Sequence, residues 1–289
     1  MSYDKILILD LGCGLTRLLA HRIRSAYVYS EVHPASVSDE WLRQYAADGR
    51  LKGIILSGQI TAETTPENAV APAVFELGVP VLGIDQGMHV MARQLGGAVQ
   101  VANEQTPSSL AIRARGHTRL LLGIEDFQTP EGHGMLHAWM HEGNQVTEMP
   151  PGFKRMASSS GCAIAGMADE NRHLYGLQFH PEVAATVQGR SILTRFVLDI
   201  CQASPHWVIG QYAEQTVQAI RERVGDQRVL LGLSGGVDSS VAAALIHRAI
   251  GDRLICVFVD HGLLRLNEAQ KVMAVVADKL NVRVIHVDA

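Results

Sequence analysis

The chain has 289 residues, of which 47% are hydrophobic, and a formal net charge of -4 at pH 7. This length exceeds the ~100 to 200 residues usual for one domain, so we predict two domains with separate cores. The slightly acidic balance excludes a general attraction to polyanions, and the sequence contains no basic patch that would indicate a nucleic-acid partner.

Two further features bear on the location of the protein. The apolar runs are all shorter than the ~18 residues of a membrane span, so we predict a soluble, cytoplasmic protein with no membrane partner. The cysteines lie far apart and form no CxxC pair; they are Cys13, Cys162, Cys201 and Cys256. We therefore expect reduced, mostly buried thiols rather than a zinc or redox centre.

Short apolar runs of strand length recur along the chain, with helical stretches between several of them. In chain order the runs are Lys5–Leu9, Gly53–Leu56, Val79–Ile84, Arg228–Leu233, Leu254–Val259 and Val282–Val287. Between Ser108 and Phe179 the pieces are shorter and punctuated by glycine, which predicts some antiparallel strand in the first domain. The predicted class is α/β, with sheets covered by helices.

The boundary between the two domains is predicted from a change of pattern. A helix from about Gln188 to Gln202 leads into a polar stretch with a proline, so we place the boundary near residue 205, between domains 1–204 and 205–289. The second segment begins with a helix from about Gln211 to Arg223 and continues as strand, glycine loop, helix, strand, helix, strand. A doubly wound sheet of this length would lack elements, so we interpret the chain as incomplete at its carboxyl end.

A glycine-containing loop lies between a strand and an apolar helix of the second domain. It consists of Ser234, Gly235, Gly236, Val237, Asp238, Ser239 and Ser240. The glycines allow a sharp turn, and the helix start presents unpaired N–H groups and a positive dipole end to an anion. The spacing and lysine of a Walker A loop are missing. We predict a phosphate-binding loop; the alternative is a glycine turn with a Ser/Asp helix cap.

The SGGVDSS loop resembles the signature of the ATP-pyrophosphatases, and the stretch from RVLLGL to NEAQKV is similar to the GMP synthetase family. The resemblance implies ATP and Mg²⁺ as ligands. The hydroxyls of Ser234, Ser239 and Ser240 and the loop amides would hold the phosphates. Asp238 would help to hold Mg²⁺, and Asp260 at the end of the VFVD strand would lie beside the nucleotide.

From Ile6 to Cys201 the chain resembles the class I glutamine amidotransferase domain of the same family. The matching stretches are ILILDLG, GIILSG, GVPVLGIDQGMHVMARQLGG and YGLQFHPEV. A glutaminase needs a nucleophilic thiolate, a histidine that shuttles the proton and a carboxylate that orients this histidine. His180 and Glu182 match the last two. The resemblance implies a flavodoxin-like, mixed-sheet domain, followed by part of a doubly wound parallel sheet of the adenine-nucleotide α-hydrolase kind.

The position of the nucleophilic cysteine, in a GxCxG turn, holds Asp85. A carboxylate, with a reference pKa near ~3.9, attacks an amide poorly, and the product would be a high-energy anhydride. We therefore predict that glutamine hydrolysis is lost.

Two more departures from the family surround the same pocket. The family has a glycine pair and a proline after the second strand, where this chain has Gly58, Gln59 and Ile60. We assign Gly58, Gln59 and Gln86 to the oxyanion region, and a side chain at 59 disfavours the positive φ that glycine permits. In WMHEG, where the family shows Ser-His-Gly, His141 and Glu142 differ as well.

These motifs allow four other interpretations. Asp85 with His180 could form an aspartate-nucleophile hydrolase, or the two could form an ion pair that fills the old pocket, which we favour. The spacing of His133, His137 and His141 suggests a metal site, but nearby glycines argue against a helix, and we expect solvent-exposed histidines. Gly12-Cys13-Gly14 is better explained as a tight turn than as a dinucleotide fingerprint.

The function predicted from the resemblance is ATP-dependent amination of xanthosine monophosphate to GMP by a carbon–nitrogen ligase of purine biosynthesis. Ammonia would be used directly, although the family takes it from glutamine. The resemblance places the xanthosine monophosphate site and the dimerisation region beyond residue 289, so a homodimer is expected only of a full-length protein. The alternative is a truncated, non-catalytic paralogue or fragment that binds nucleotide or a partner.

Overall fold

A computed structural model describes residues 3–59, 69–100, 106–260, 262, 267–274 and 282–288. The chain divides into two compact units, one ending at Trp207 and the other beginning at Val208. Within the described ranges, no helix combines the length and the apolar character needed to cross a bilayer. Ile60, which follows Gln59 in the departure from the family pattern, lies outside these ranges.

The first unit is built from strands and short helices. Its strands are β1 (Lys5–Asp10), β2 (Tyr29–Pro34), β3 (Leu51–Ser57), β4 (Val81–Ile84), β5 (Ala98–Gln100), β6 (Thr106–Ala114), β7 (Phe127–Gln128), β8 (Gly134–Glu142), β9 (Gln145–Glu148), β10 (Lys154–Ser158), β11 (Gly166–Asp169) and β12 (Leu174–Leu177). Its helices are α1 (Thr16–Arg24), α2 (Asp39–Ala46), α3 (Ala73–Glu76), α4 (Gln86–Gln94) and α5 (Gly189–Arg195), and a π-helical segment, Phe196–Ile200, follows α5.

A mixed sheet organises this unit. It has 10 strands in the order β2-β1-β3-β4-β12-β11-β10-β6-β8-β7. The β2-β1-β3-β4-β12 half is parallel, and the remaining strands pair antiparallel. The sheet confirms the predicted α/β class and the antiparallel strands between Ser108 and Phe179.

The parallel half is buried on both faces, which explains its continuous apolar runs. In β1, Ile6 and Ile8 belong to one hydrophobic cluster, whereas Leu7 and Leu9 belong to the other. Alternate side chains of a strand point to opposite faces, so β1 lies in the middle of the core. The motifs at the carboxyl ends of these strands are therefore held by a rigid scaffold.

Two predicted boundaries in the first unit differ from the structure. The run from Val79 was predicted as strand, but β4 begins at Val81, because Pro80 has no N–H to contribute to a ladder. The predicted helix from Gln188 to Gln202 is α5 followed by the π-helical segment, and it ends at Ile200.

The second unit contains a parallel three-stranded sheet in the order β13-β14-β15. Its elements are α6 (Ile209–Val224), β13 (Val229–Leu233), α7 (Val237–Ile250), a 3-10 turn (Gly251–Arg253), β14 (Leu254–Asp260), α8 (Glu268–Met273) and β15 (Val284–Asp288). The core includes Leu233, Ala243, Leu254 and Phe258. The prediction of reduced, buried thiols is confirmed, since all four cysteines of the chain are free and buried.

Candidate functional site

The turn between β4 and α4 carries Asp85 in a strained backbone conformation. Its φ is 49° and its ψ is -109°, a combination that residues with a side chain rarely adopt. The Asp85 N–H donates to the Leu177 carbonyl at 2.8 Å, and the Asp85 carbonyl accepts from the N–H groups of Met88 and His89. The turn is thus anchored to both β12 and α4.

Glycine on either side of Asp85 is required by close packing. A Cβ on Gly83 would lie 2.6 Å from the carbonyl carbon of Gly87, and a Cβ on Gly87 would collide with the carbonyl oxygen of Leu56. The spacing of the two glycines therefore serves the turn itself, whichever residue stands between them.

His180 and Glu182 follow β12 and lie beside Asp85. His180 Nε2 is 3.2 Å from Asp85 Oδ2, and His180 Nδ1 is 2.7 Å from Glu182 Oε1. All three side chains are fully buried. The main chain of His180 is held by a hydrogen bond from its N–H to the Trp139 carbonyl at 2.9 Å, and its carbonyl accepts from the Thr186 hydroxyl at 2.6 Å.

The electrostatics of this triad favour an ion pair. Burial alone would raise the pKa of Asp85, but the imidazoles of His141 and His180 outweigh it and lower this pKa from 3.8 to about 2. Burial alone would lower the pKa of His180, but hydrogen bonds to Asp85 and Glu182 raise it from 6.5 to about 9. At neutral pH the Asp85 carboxylate therefore faces an imidazolium whose two N–H groups donate to Asp85 and Glu182.

A second histidine approaches Asp85 from β8. His141 Nδ1 is 3.5 Å from Asp85 Oδ2, and the His141 side chain is 11% exposed. The rings of His141 and His180 meet edge to face with their centroids 5.7 Å apart, and Trp139 contacts both rings. The expectation of solvent-exposed histidines was wrong for His141, because the isolated bridge between Met140 and Phe179 brings the end of β8 to the pocket.

The other two histidines of the predicted series lie elsewhere. His137 is exposed and lies 3.6 Å from Asp126. His133 is half-buried, and its Nδ1 lies 3.0 Å from the Arg113 guanidinium. A potential metal-ligating group is instead formed by Asp85, His141 and His180, whose ligand atoms all lie within 4.8 Å of one another.

The residues of the predicted oxyanion region lie next to the Asp85 turn. A Cβ on Gly58 would be 2.6 Å from Gln86 Cβ, so these two residues are in direct contact. Neither Gly58 nor Gln59 has a positive φ. The Gln59 side chain instead extends to His141, with Nε2 of each side chain 3.2 Å apart.

Two residues of the site were not singled out in the sequence. Gln178 Nε2 donates to Asp85 Oδ1 at 2.9 Å, and Gln178 Oε1 lies 2.7 Å from His89 Nε2. Burial lowers the pKa of His89, and Asp85 only partly opposes this effect. Their spacing to residues already singled out could have identified both. Gln178 lies two residues before His180, and His89 lies about one helical turn after Asp85.

The predicted phosphate loop, Ser234–Ser240, joins β13 to α7 in the second unit. Gly235 has a φ of +78°, and Gly236 is the N-cap of α7, where it has no side chain to cap the first N–H groups. The hydroxyls of Ser239 and Ser240 donate to the Gly236 carbonyl at 3.1 and 2.9 Å, and Ser234 Oγ lies 3.1 Å from Ser239 Oγ. The loop thus combines a positive-φ turn at Gly235 with a helix whose N-cap residue makes no side-chain cap.

The acidic residues assigned to the nucleotide lie near this loop. Asp238 is in the first turn of α7, and Asp260 ends β14, the parallel neighbour of β13. The carboxyl ends of parallel strands meet at one edge of a sheet, so the loop and Asp260 share that edge.

Comparison with known proteins gives matches over both units. The family model for class-I glutamine amidotransferase matches residues 7–200, and the model for NAD synthase matches residues 209–289. A protein of Paraburkholderia phytofirmans named GMP synthase (glutamine-hydrolyzing) is 60% identical and covers 99% of this chain. A protein of the same name from Albidiferax ferrireducens is 59% identical over 99% of this chain. The alignments cover 54% of each relative, so the chain spans about half the length of the curated relatives it matches.

Solved structures share the fold of the first unit. A crystal structure from Thermoplasma acidophilum, provisionally described as a GMP synthase component, has a TM-score of 0.55 and 24% identity, covering 70% of this chain and 96% of that chain. The structure of PurLQS from Thermotoga maritima has a TM-score of 0.50 and 13% identity, covering 68% of this chain and 98% of that chain.

Proposed function

Because the chain belongs to the class I glutamine amidotransferase family, we propose that it forms the amidotransferase domain and the beginning of the ATP-pyrophosphatase domain of a GMP synthase-type enzyme without glutaminase activity. The high identity to GMP synthases over both units supports this assignment. The overall reaction would be the ATP-dependent amination of xanthosine monophosphate to GMP, with free ammonia as the nitrogen donor. The full-length enzyme would be a cytoplasmic homodimer.

The contact between Asp85 and His180 carries the proposal that glutamine is not hydrolysed. His180 lies where it could activate a nucleophile at position 85, and Glu182 orients it. The group at position 85, however, is a buried carboxylate with a pKa of about 2 that already accepts hydrogen bonds. Such a group is a weak nucleophile toward an amide and has no proton for His180 to remove. The base and its orienting carboxylate are retained, but the covalent step has no attacking atom.

The phosphate loop supports the proposal that ATP and Mg²⁺ bind to the second unit. The N–H groups at the start of α7 and the hydroxyls of Ser234, Ser239 and Ser240 are suited to phosphate oxygens. The carboxylate of Asp238 would supply an oxygen ligand of the kind that Mg²⁺ prefers, and Asp260 would lie beside the nucleotide. Mg²⁺ held there would partly neutralise the negative charge of the phosphates and would so assist loss of pyrophosphate when a substrate oxygen is adenylated.

A nitrogen-source experiment tests the proposed function. The full product of the gene that encodes this chain is supplied with Mg²⁺, ATP and xanthosine monophosphate, and with either ammonium or glutamine. We expect GMP and AMP to form with ammonium and not with glutamine. GMP formation with glutamine as the sole nitrogen source would overturn the assignment of Asp85 as a non-nucleophile. If ATP binds without any turnover, the non-catalytic alternative is the better assignment.

A further inference from the structure

Three buried ligand atoms converge in the first unit: Asp85 Oδ2, His141 Nδ1 and His180 Nε2. We propose that they bind a divalent transition-metal ion of the zinc type. This proposal does not depend on the proposed function, since none of its steps involves ATP, xanthosine monophosphate or ammonia.

The spacing of the three atoms fits such an ion. Zinc–nitrogen and zinc–carboxylate bonds are ~2.0–2.2 Å, so neighbouring ligand atoms of a tetrahedral ion are about 3.3–3.5 Å apart. Asp85 Oδ2 lies 3.2 Å from His180 Nε2 and 3.5 Å from His141 Nδ1. Two of the three ligand–ligand distances therefore lie within about 0.1 Å of those around a coordinated ion, and the third is at most 4.8 Å.

The atoms that would not touch the metal have partners that orient each ligand. His180 Nδ1 lies 2.7 Å from Glu182 Oε1 and keeps its proton there, so a bound metal would displace only the proton of Nε2 and bind its lone pair. Gln178 Nε2 donates to Asp85 Oδ1 and leaves Oδ2 facing the histidines. Histidine–carboxylate pairs of this kind fix the tautomer and ring orientation of metal-binding histidines.

His141 has a comparable partner in Gln59. The two Nε2 atoms lie 3.2 Å apart, and His141 Nδ1, which points toward Asp85, has no hydrogen-bond partner in the described part of the chain. An amide flip of Gln59, which exchanges its oxygen and nitrogen, lets its Oε1 accept the His141 Nε2–H. His141 Nδ1 is then free to bind the metal, so all three ligands have orienting contacts.

The arrangement corresponds to a site with an open coordination position. Three protein ligands leave a fourth position for water or a small anionic ligand, as in catalytic rather than structural zinc sites. His141 is 11% exposed and Gln59 is half-buried, so an ion can enter from their side of the pocket. Two buried carboxylates, Asp85 and Glu182, would offset the charge of the cation.

Cobalt binding tests this proposal, because Co²⁺ accepts the ligands of Zn²⁺ and absorbs visible light strongly when tetrahedral. The purified chain is freed of metal with a chelator and titrated with Co²⁺ by visible absorption and equilibrium dialysis, in the absence of nucleotide. We expect one Co²⁺ per chain with a tetrahedral spectrum, and competition by Zn²⁺. Absence of stoichiometric Co²⁺ binding would overturn the proposal.

Variants locate the bound ion. His141→Ala removes a ligand and should abolish the tetrahedral spectrum, whereas Gln59→Ala removes an orienting partner and should weaken binding ~10–100-fold. His137→Ala is the matched control, because His137 lies on the same strand but is exposed, and it should bind Co²⁺ like the wild type. If His141→Ala does not fold, Gln59→Ala decides: weaker binding supports the site, and unchanged affinity refutes it.

Discussion

Asp85 Oδ2 lies 3.2 Å from His180 Nε2 in the core of the first unit, where neither side chain is exposed to solvent. In the proposed function, these are the positions of the nucleophile and the base of a class I amidotransferase. We propose that a carboxylate replaces the nucleophile here, so that a contact suited to proton transfer becomes an ion pair. This replacement has consequences for chemistry and for stability, and each can be measured separately.

Replacing the carboxylate by a thiol should restore glutamine hydrolysis. We expect no glutamate release from glutamine by the wild-type chain and measurable release by the Asp85→Cys variant, because His180 and Glu182 are already in place. Adding His180→Ala to Asp85→Cys should lower the rate by ~10²–10⁴-fold, the usual contribution of a general base. A coupled assay for glutamate measures all three proteins.

Two outcomes would change this interpretation. Glutamate release by the wild type would contradict the assignment of Asp85 as a non-nucleophile. If Asp85→Cys is also silent, then His141 and its contact with Gln59 obstruct the pocket. The double variant Asp85→Cys/His141→Ser, which has the family's serine at position 141, would then be the one to regain activity.

The ion pair should make the stability of the metal-free first unit depend on pH. The pKa of His180 is raised from 6.5 to about 9. The contribution of His180 to the free energy of unfolding is therefore complete below pH 6.5 and is lost as the pH rises through 9. The pKa of Asp85 is lowered from 3.8 to about 2, so its contribution is complete above pH 3.8 and is lost as the pH falls through 2. Asp85→Asn should therefore lower the free energy of unfolding the most, by about 3–5 kcal/mol, between pH 4 and 6.5, and by less toward pH 9.

Tryptophan fluorescence during urea unfolding, with a chelator present, measures this effect. All tryptophans of the chain, Trp41, Trp139 and Trp207, lie in the first unit, so the signal reports on that unit. Glu76→Gln is the control, because it breaks the exposed pair with Arg43 and should change stability by less than ~1 kcal/mol. A loss in Asp85→Asn that is equal at pH 5 and pH 9 would contradict the ion-pair assignment.

The turn that presents Asp85 should not tolerate a methyl group at Gly87. The added Cβ would collide with the Leu56 carbonyl, so Gly87→Ala should lower the free energy of unfolding by ~1–3 kcal/mol or more. Gly14→Ala is the matched control: it has no atom within 4 Å of the added Cβ and no positive φ. Urea midpoints of the two variants provide the comparison, and equal midpoints would show that the turn can relax.

The phosphate loop should bind ATP with Mg²⁺ in the second unit. We expect Asp238→Asn to weaken binding mainly when Mg²⁺ is present, and Ser239→Ala to weaken it with or without the metal, each by roughly tenfold, since a charge-assisted hydrogen bond contributes ~1.5–3 kcal/mol. Isothermal titration with ATP measures both affinities. Ser191→Ala, on α5 of the first unit, is the control. If Ser239→Ala binds ATP with unchanged affinity, the loop is only a structural turn.

Much of the fold and part of the site could be predicted from local sequence. The buried parallel strands produce continuous apolar runs, and the two turns that matter, at Asp85 and at Ser234–Ser240, contain the glycines their backbones need. Boundaries were less predictable where a single residue interrupts a pattern. Pro80 shortens β4, and a π-helical segment follows Arg195, although neither disturbs the hydrophobic periodicity.

The sequence by itself determined that Asp85 lies in a glycine turn after one strand, that His180 and Glu182 follow another, and that a glycine-containing loop between a strand and a helix follows in a second unit. These features are local, because each lies within a few residues of one strand end. Only the tertiary structure decided that His141 and Gln178 meet at Asp85 and that Gln59 reaches His141. The physical reason is that sheet pairing and the bridge between Met140 and Phe179 join segments far apart in the chain, and such contacts leave no periodic signal in either segment.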